Sequence, residues 1–402
     1  MVNKRLSYNR ILKDALYILA AIEICLGAVW FILNILRPVR EITESEYLRA
    51  MFALNHDSWQ SLFYVYFLRG LYVLSGSNLT LFYFFTHLLQ AVFLFSALFF
   101  LLHTLFKEDK RKALFFSLFI FMFPAVISVT QELSPLSLRA AIAIAVIDFV
   151  LKSGKKKRPL IVTVTVIILS LLSFISFKTA DDEFTDRTEK SFGYLLFDKT
   201  ATGHIKGLAF FLGDDMYRAH GDSYDGVDTN PGLMPYTVGN WVFEEYPDRT
   251  DREYHYRWLS KYAFSTWKKD TVLSNFSEVV FYTFTPFTPL FIEGLGISGT
   301  DTVAFKENFT ERMYPISLYY YEFSFAGFLV LFILFVFRDK RNIKLLIISG
   351  VVSLVLSVFI WFFTPKGFDV REGIYMTLIY AILFSISAGR ETATENELLR
   401  DN

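Results

Sequence analysis

The chain alternates between long apolar stretches and shorter segments that hold most of its charged residues. About 20 apolar residues in a helix cross the hydrocarbon core of a bilayer. The stretches lack the strict alternation of a membrane β-barrel, and helices satisfy their own backbone groups in lipid. We therefore predict an all-α polytopic membrane protein with eight transmembrane helices. The predicted spans are Ala15–Leu36, Tyr83–Leu105, Leu114–Thr130, Pro135–Leu151, Leu160–Phe177, Ile316–Phe337, Leu345–Phe363 and Ile374–Ala388.

Basic residues flank these stretches in a pattern that predicts the topology. One cluster of Lys and Arg precedes the first span, and "KEDKRK", "KSGKKKRP" and "RDKRNIK" follow the second, fourth and sixth spans. If the spans alternate in direction, all of these clusters lie on one side. Cytoplasmic loops carry the excess of Lys and Arg. We therefore predict a multi-pass protein of the cell membrane with both termini in the cytoplasm.

The alternation also divides the chain into three parts. Residues 1–177 form an N-terminal module of five spans, whose first external loop is residues 37–82. Residues 178–315 form an external segment, which is too long to lack structure in a compact protein and is predicted to be partly helical. Residues 316–402 supply three further spans and a cytoplasmic tail.

The composition and the absence of certain motifs argue against several classes of function. Apolar residues make up 53% of the chain, which is too many for a water-soluble domain of this size. The 40 basic and 40 acidic residues cancel, so the overall charge gives no reason to expect nucleic-acid binding. The chain has no phosphate-binding loop and no dinucleotide fingerprint, so we predict no nucleotide cofactor. The spacing of Asp222, Asp225 and Asp228 does not fit a calcium loop, and we predict no metal site.

The first external loop contains "TESEYLRAMFALNHDSW", residues 43–59. Thr43 and Glu46 have the spacing of a capping box, and Glu44 lies in the first helical turn without such a role. The apolar residues Tyr47, Leu48, Met51 and Phe52 then keep helical spacing, which predicts a short helix on the membrane surface. The following segment, "SWQSLFYVYFLRGLYVLSG", is too short to span and predicts a second interfacial helix.

The order of these features resembles the start of the GT-C glycosyltransferases. The resemblance is to the branch of dolichyl-phosphate-mannose protein mannosyltransferases and bacterial polyprenyl-phosphate-sugar transferases. That branch carries an Asp-Glu pair before a Tyr-Leu helix, then His-Pro-Pro before an aromatic interfacial helix. Glu44 takes the Glu position, and Thr43 stands where the family has Asp. His56 takes the His position, and Asp57 follows it where the family has Pro.

Two later segments extend the resemblance. In "FPAVISVTQELSPLSLRAAIAIAVIDFVLKSG", Glu132 is the acidic residue of a small external turn between the third and fourth spans. In "FDVREGIYMTLIYAIL", Arg371 leads into the last helix, as an Arg does in the family.

The resemblance implies transfer of a sugar from a polyprenyl-phosphate donor to a glycan, lipid or protein acceptor on the extracytoplasmic side. Glu44 is the candidate base that deprotonates the acceptor hydroxyl, with Asp57 and Glu46 as substitutes. Arg371, with Lys366 nearby, is the candidate clamp for the departing phosphate, or else an anchor in the headgroup region. His56 either binds phosphate or caps a turn.

Other interpretations remain open. Thr43 in place of Asp is compatible with a scaffold that has lost catalysis and binds a lipid-linked glycan or a partner protein. A polysaccharide polymerase or transporter of the same pathway is the third alternative. Glu23 lies inside the first span, where an ionisable residue is a functional candidate. It is equally suited to bond a neighbouring helix while protonated. His87 and His103 are predicted to be helix-packing residues.

Overall fold

A computed structural model of the chain describes residues 2–35, 47–48, 51–52, 62–107, 109–153, 193, 196–197, 242, 245–265, 280, 304–338, 340–363 and 374–389. These residues are almost all helical, and none of them lies in a β-strand. They include ten helices: α1 (Val2–Asn34), α2 (Leu62–Leu74), α3 (Leu79–Leu105), α4 (Lys110–Phe121), α5 (Pro124–Thr130), α6 (Leu136–Lys152), α7 (Arg249–Ser265), α8 (Ala304–Arg338), α9 (Lys340–Phe363) and α10 (Ile374–Gly389).

Several helices have the length and apolar composition needed to cross a bilayer. Three helical stretches are long and apolar enough to cross it, namely Asn9–Asn34, the whole of α3 and Tyr319–Arg338. Helices α4 and α5 together make a fourth candidate, and the apolar parts of α9 and α10 are shorter. The protein is therefore a helical membrane protein. The predicted span Leu160–Phe177 lies outside the described residues.

The predicted span Leu114–Thr130 is not one straight helix. Helix α4 ends at Phe121, α5 begins at Pro124, and the two axes differ by 77°. Proline has no N–H to donate to the preceding turn, and it disfavours helical backbone at the residue before it. Phe123 accordingly has an extended backbone, with φ −64° and ψ 131°. The apolar pattern predicted helix here but missed the break at Pro124.

The helices pack around an aromatic core. Helix α1 lies along α8, α3 lies against α4 and α6, and α10 packs on α8. The Phe384 ring lies 5.5 Å from Phe328 and 4.8 Å from Phe335, measured between ring centroids. Lipid tails are as apolar as these side chains, so close packing rather than the hydrophobic effect holds such helices together. Close packing in turn requires small residues at the contacts.

Gly27 meets this requirement between α1 and α8. A Cβ atom at this position would lie 2.9 Å from both the Tyr320 hydroxyl oxygen and the Met122 sulfur. The Tyr320 hydroxyl donates to the Met122 carbonyl, at the end of α4. The absence of a side chain at Gly27 therefore leaves room for a bond that fixes α8 to the break between α4 and α5.

Helix α2 corresponds to the second interfacial helix predicted from the sequence. Its buried face contributes Tyr64, Leu68 and Leu71 to a small apolar cluster with Phe82 of α3 and Leu133. These contacts hold α2 against α3 and against the turn after α5.

The residues of the first predicted interfacial helix pack on α2. Tyr47, Leu48 and Met51 belong to the same apolar cluster, and the Tyr47 ring meets the Tyr64 ring edge-on at 5.1 Å. Phe52 is more exposed than the other three and touches Tyr72 edge-on. Residues 47, 48, 51 and 52 are helical, so the predicted stripe is confirmed.

Helix α7 lies within the external segment. The helix agrees with the prediction that the external segment is partly helical, and it buries Tyr256 and Leu259. The backbone N–H groups of Thr250 and Asp251 donate to the Asp248 carboxylate at the start of the helix, and these bonds lower the pKa of Asp248. A carboxylate at this position also suits the positive end of the helix dipole.

Candidate functional site

A buried polar cluster lies where α2, α3 and the end of α1 meet the turn that follows α5. Its members are the side chains of Tyr64, Thr86, His87, Gln90 and Gln131, together with Glu132. Buried polar groups in an apolar helical bundle are costly unless they are hydrogen-bonded. The hydrogen bonds of these side chains therefore show which helices the cluster holds together.

Gln90 is the centre of the polar cluster. Its side-chain Nε2 donates to the carbonyl oxygens of Thr130 at 3.0 Å and Glu132 at 2.9 Å. Its Oε1 accepts from the Tyr64 hydroxyl at 2.9 Å. The last carbonyls of a helix have no partner within the helix, and Gln90 satisfies that of Thr130 at the end of α5. One amide thus joins α2, α3 and the turn.

The end of α1 is tied to the same place. Gln131 donates from Nε2 to the Phe31 carbonyl at 3.0 Å, and His87 Nδ1 lies 2.7 Å from the Ile35 carbonyl oxygen. Asn34 donates to the Trp30 carbonyl one turn earlier. These bonds satisfy carbonyls that the end of a helix would otherwise leave unpaired. His87, predicted as a packing residue, does pack and holds α1 against α3.

Glu132 is the one predicted site residue that the structure describes. It is buried, with 3% of its surface exposed, in a turn whose neighbours Gln131 and Leu133 are buried too. The sequence predicted a small turn here, and in the structure that turn packs against α2. The reason is that Gln90 binds its backbone while Leu133 packs on Tyr64.

The other predicted site residues lie outside the described residues. These are Glu44, Glu46, His56, Asp57, Lys366 and Arg371, together with Thr43. Some residues close to Glu44, Glu46, His56 and Asp57 in the chain are described. Met51, which follows Glu46, and Tyr64, which follows Asp57, share one apolar cluster with Leu133. The structure therefore brings two parts of the first external loop, at Met51 and at Tyr64, next to the turn that contains Glu132.

Tyr64, Gln90 and Gln131 were not predicted as site residues from the sequence. One signal for Gln90 was present, since Thr86, His87 and Gln90 lie on one face of a mostly apolar helix. Tyr64 and Gln131 gave no such signal, because their bonds join residues far apart in the chain.

The polar cluster contains the hydroxyl, amide and imidazole groups expected of a structural support. Within the part of the chain described here, no group of three or more His, Cys, Asp or Glu side chains is placed to hold a metal ion. The cluster fixes the relative positions of α1, α2, α3 and the Glu132 turn. Comparison with protein-family models, curated proteins and solved structures finds no match for this chain.

Proposed function

We propose that this protein is a membrane glycosyltransferase that moves a sugar from a polyprenyl phosphate to an acceptor on the extracytoplasmic side. The observation that carries the proposal is the Tyr64–Gln90–Glu132 network. The GT-C resemblance expects both the first external loop and the turn with Glu132 on the extracytoplasmic side. The network ties the helix that ends this loop to that turn.

The proposed reaction needs two kinds of group at headgroup depth. Glu44, or Asp57 or Glu46 in its place, takes the proton from the acceptor hydroxyl. As the proton leaves, the oxygen of that hydroxyl bonds to the anomeric carbon of the sugar. The bond from that carbon to the phosphate oxygen breaks, and its electron pair leaves with the polyprenyl phosphate. Arg371 and Lys366 stabilise the charge on that phosphate, and His56 contributes a further donor there. The proposed reaction includes no cofactor.

The proposal includes the predicted topology. Eight spans, both termini in the cytoplasm and a multi-pass arrangement in the cell membrane put the first external loop and the Glu132 turn on the extracytoplasmic side. The two ends of α3 test this topology. A cysteine introduced as Ser77→Cys is expected to react with a membrane-impermeant maleimide in intact cells, with Cys25 replaced by Ser. A cysteine introduced as Lys107→Cys is expected to react only after the membrane is opened. The reverse pattern would contradict the topology.

Sugar transfer in membranes tests the reaction. Vesicles that contain the protein are given polyprenyl-phosphate sugars and candidate acceptors, and the product is measured. Glu44→Gln is expected to lower the rate by about 10²- to 10⁴-fold, the usual contribution of a general base. Glu322→Gln is the matched control, because this carboxylate is exposed on α8. If Glu44→Gln and Asp57→Asn both leave the rate unchanged, the assigned site is wrong.

A non-catalytic scaffold is the second candidate, and Thr43 is the observation that favours it. A scaffold would bind a lipid-linked glycan without transferring the sugar. Binding to vesicles that contain the donor, with no product for any acceptor, would favour the scaffold over the transferase.

A transporter is the third candidate. Transporters place interrupted helices and ionisable residues near the middle of the bilayer. The 77° break between α4 and α5 and the buried Glu23 have this character. Movement of a lipid-linked glycan or free sugar across sealed vesicles, in the absence of any acceptor, would favour transport.

A further inference from the structure

Glu23 lies within the apolar part of α1, inside the stretch Asn9–Asn34 that is suited to span a membrane. Its side chain is completely buried at the contact with α8. Gly327 of α8 makes room for it, because a Cβ atom there would lie 3.5 Å from Glu23 Oε2 and 3.2 Å from Phe119. The carboxyl group is therefore enclosed between α1, α8 and α4.

Neither carboxyl oxygen of Glu23 makes a hydrogen bond of normal geometry among the described residues, and Ser324 is the side chain close enough to bond it. No Lys, Arg or His of those residues interacts with it. The polar groups that face it are Ser324 and Tyr320, both on α8, and α4 contributes the apolar ring of Phe119. Tyr320 is the one titratable residue among these three.

The two facing hydroxyl groups have already committed their hydrogens. Ser324 donates to the Tyr320 carbonyl at 2.8 Å, and Tyr320 donates to the Met122 carbonyl. A carboxylate only accepts hydrogen bonds, so an ionised Glu23 gains a donor only if Ser324 gives up its bond to the Tyr320 carbonyl. A protonated carboxyl group carries an O–H, and the free lone pairs of the Ser324 oxygen are able to accept it. The surroundings therefore match the neutral acid and not the anion.

We propose that Glu23 is a proton-binding site, and that the bound proton joins α1 to Ser324 of α8 through an O–H···O bond. Loss of this proton leaves an uncompensated charge between two packed helices, so deprotonation separates α1 from α8. The far end of α1 holds Gln131 and His87 through its carbonyls. The proton at Glu23 thus stabilises the arrangement of the buried polar cluster as well.

Infrared spectroscopy of the full-length protein in lipid tests this proposal, because a protonated carboxyl group absorbs apart from a carboxylate. At neutral pH the difference spectrum between wild type and Glu23→Gln is expected to show one protonated-carboxyl band. Glu322→Gln, which changes an exposed carboxylate of α8, is expected to leave that band in place. A wild-type band that is unchanged by Glu23→Gln, or no such band at all, would overturn the proposal.

Two further measurements remain informative if Glu23→Gln fails to fold. Ser324→Ala removes the acceptor, and is expected to shift the protonated-carboxyl band without abolishing it. In the wild-type protein the band is expected to disappear as the pH is raised. A band insensitive to both Ser324→Ala and alkaline pH does not come from Glu23 and would refute the proton-binding site. Because these spectra need no donor or acceptor sugar, their outcome is independent of glycosyltransferase activity.

Discussion

The Tyr64 hydroxyl donates to Gln90 Oε1 at 2.9 Å, and this bond joins a helix of the first external loop to a membrane helix. Gln90 in turn holds the carbonyls of Thr130 and Glu132. Gln90 thus connects the first external loop to the turn that contains Glu132.

Removing the Tyr64 hydroxyl is expected to destabilise the protein. Tyr64→Phe keeps the ring contacts but leaves a buried amide oxygen without its donor, at a cost of about 1–3 kcal/mol. The measurement is the unfolding of the purified protein in detergent. Tyr319→Phe is the control, because Tyr319 is 56% exposed, and we expect a change below about 0.5 kcal/mol. Equal effects of the two substitutions would show that the Tyr64–Gln90 bond contributes no stability.

Glycine at position 27 is expected to be required for the contact between α1 and α8. Gly27→Ala places a methyl group 2.9 Å from the Tyr320 hydroxyl oxygen, which is held by the Met122 carbonyl. We expect a loss of about 1–3 kcal/mol in the free energy of unfolding, as for other overpacked cores. Gly70→Ala is the opposite case, since nothing lies within 4 Å of a Cβ atom there.

Gly70→Ala should stabilise α2 by up to about 1 kcal/mol, because alanine is the better helix former. The two substitutions are compared by their unfolding midpoints in the same detergent. A Gly27→Ala protein as stable as wild type would contradict the close contact between α1 and α8.

Arg338 is expected to hold the end of α10. Its Nη1 donates to the carbonyls of Ser387 at 2.5 Å and Ala388 at 2.9 Å. These are among the last carbonyls of the helix and have no partner further along it. Arg338→Met is expected to lower the free energy of unfolding by about 1–3 kcal/mol, measured by thermal unfolding. Lys344→Met, at an exposed position of α9, should have little effect. If both proteins melt together, the carbonyls of α10 do not depend on Arg338.

Asp109 is expected to make the free energy of unfolding depend on pH in the acidic range. The backbone N–H of Lys112 donates to its carboxylate at 3.1 Å, as does that of Arg111, and these bonds with the nearby Lys112 ammonium lower the pKa of Asp109. A lowered pKa in the folded protein means that the ionised form is the one stabilised. This contribution is therefore complete above the ordinary value of 3.8 and is lost as the pH falls through the lower folded value.

Two substitutions at this position separate the cap from the charge. Asp109→Ala removes both, and its deficit in stability relative to wild type should shrink once the pH falls below 3.8. Asp109→Asn keeps a good N-terminal cap without the titrating group, so its unfolding midpoint should lack this acidic dependence. A deficit of Asp109→Ala that stays constant down to the lowest pH would contradict the prediction.

Part of this fold was predictable from local patterns. The apolar runs predicted α1, α3, α6, α8, α9 and α10, and the stripe from Tyr47 to Phe52 predicted the packing surface that meets α2. The break before Pro124 was missed, although its cause is a local one, because an apolar window averages over a single proline. The candidate site was predictable only as a set of charged residues near the membrane surface, of which Glu132 is described.

The sequence by itself determined that this is a helical membrane protein. The length of an apolar run is a property of one helix, and it has to match only the thickness of the bilayer. Only the tertiary structure decided that Tyr64, Gln90 and the Glu132 turn form one cluster, and that Glu23 faces Ser324. Those relationships join residues far apart in the chain. They depend on which helix faces pack together, and side-chain packing between helices leaves no periodic signal in the sequence.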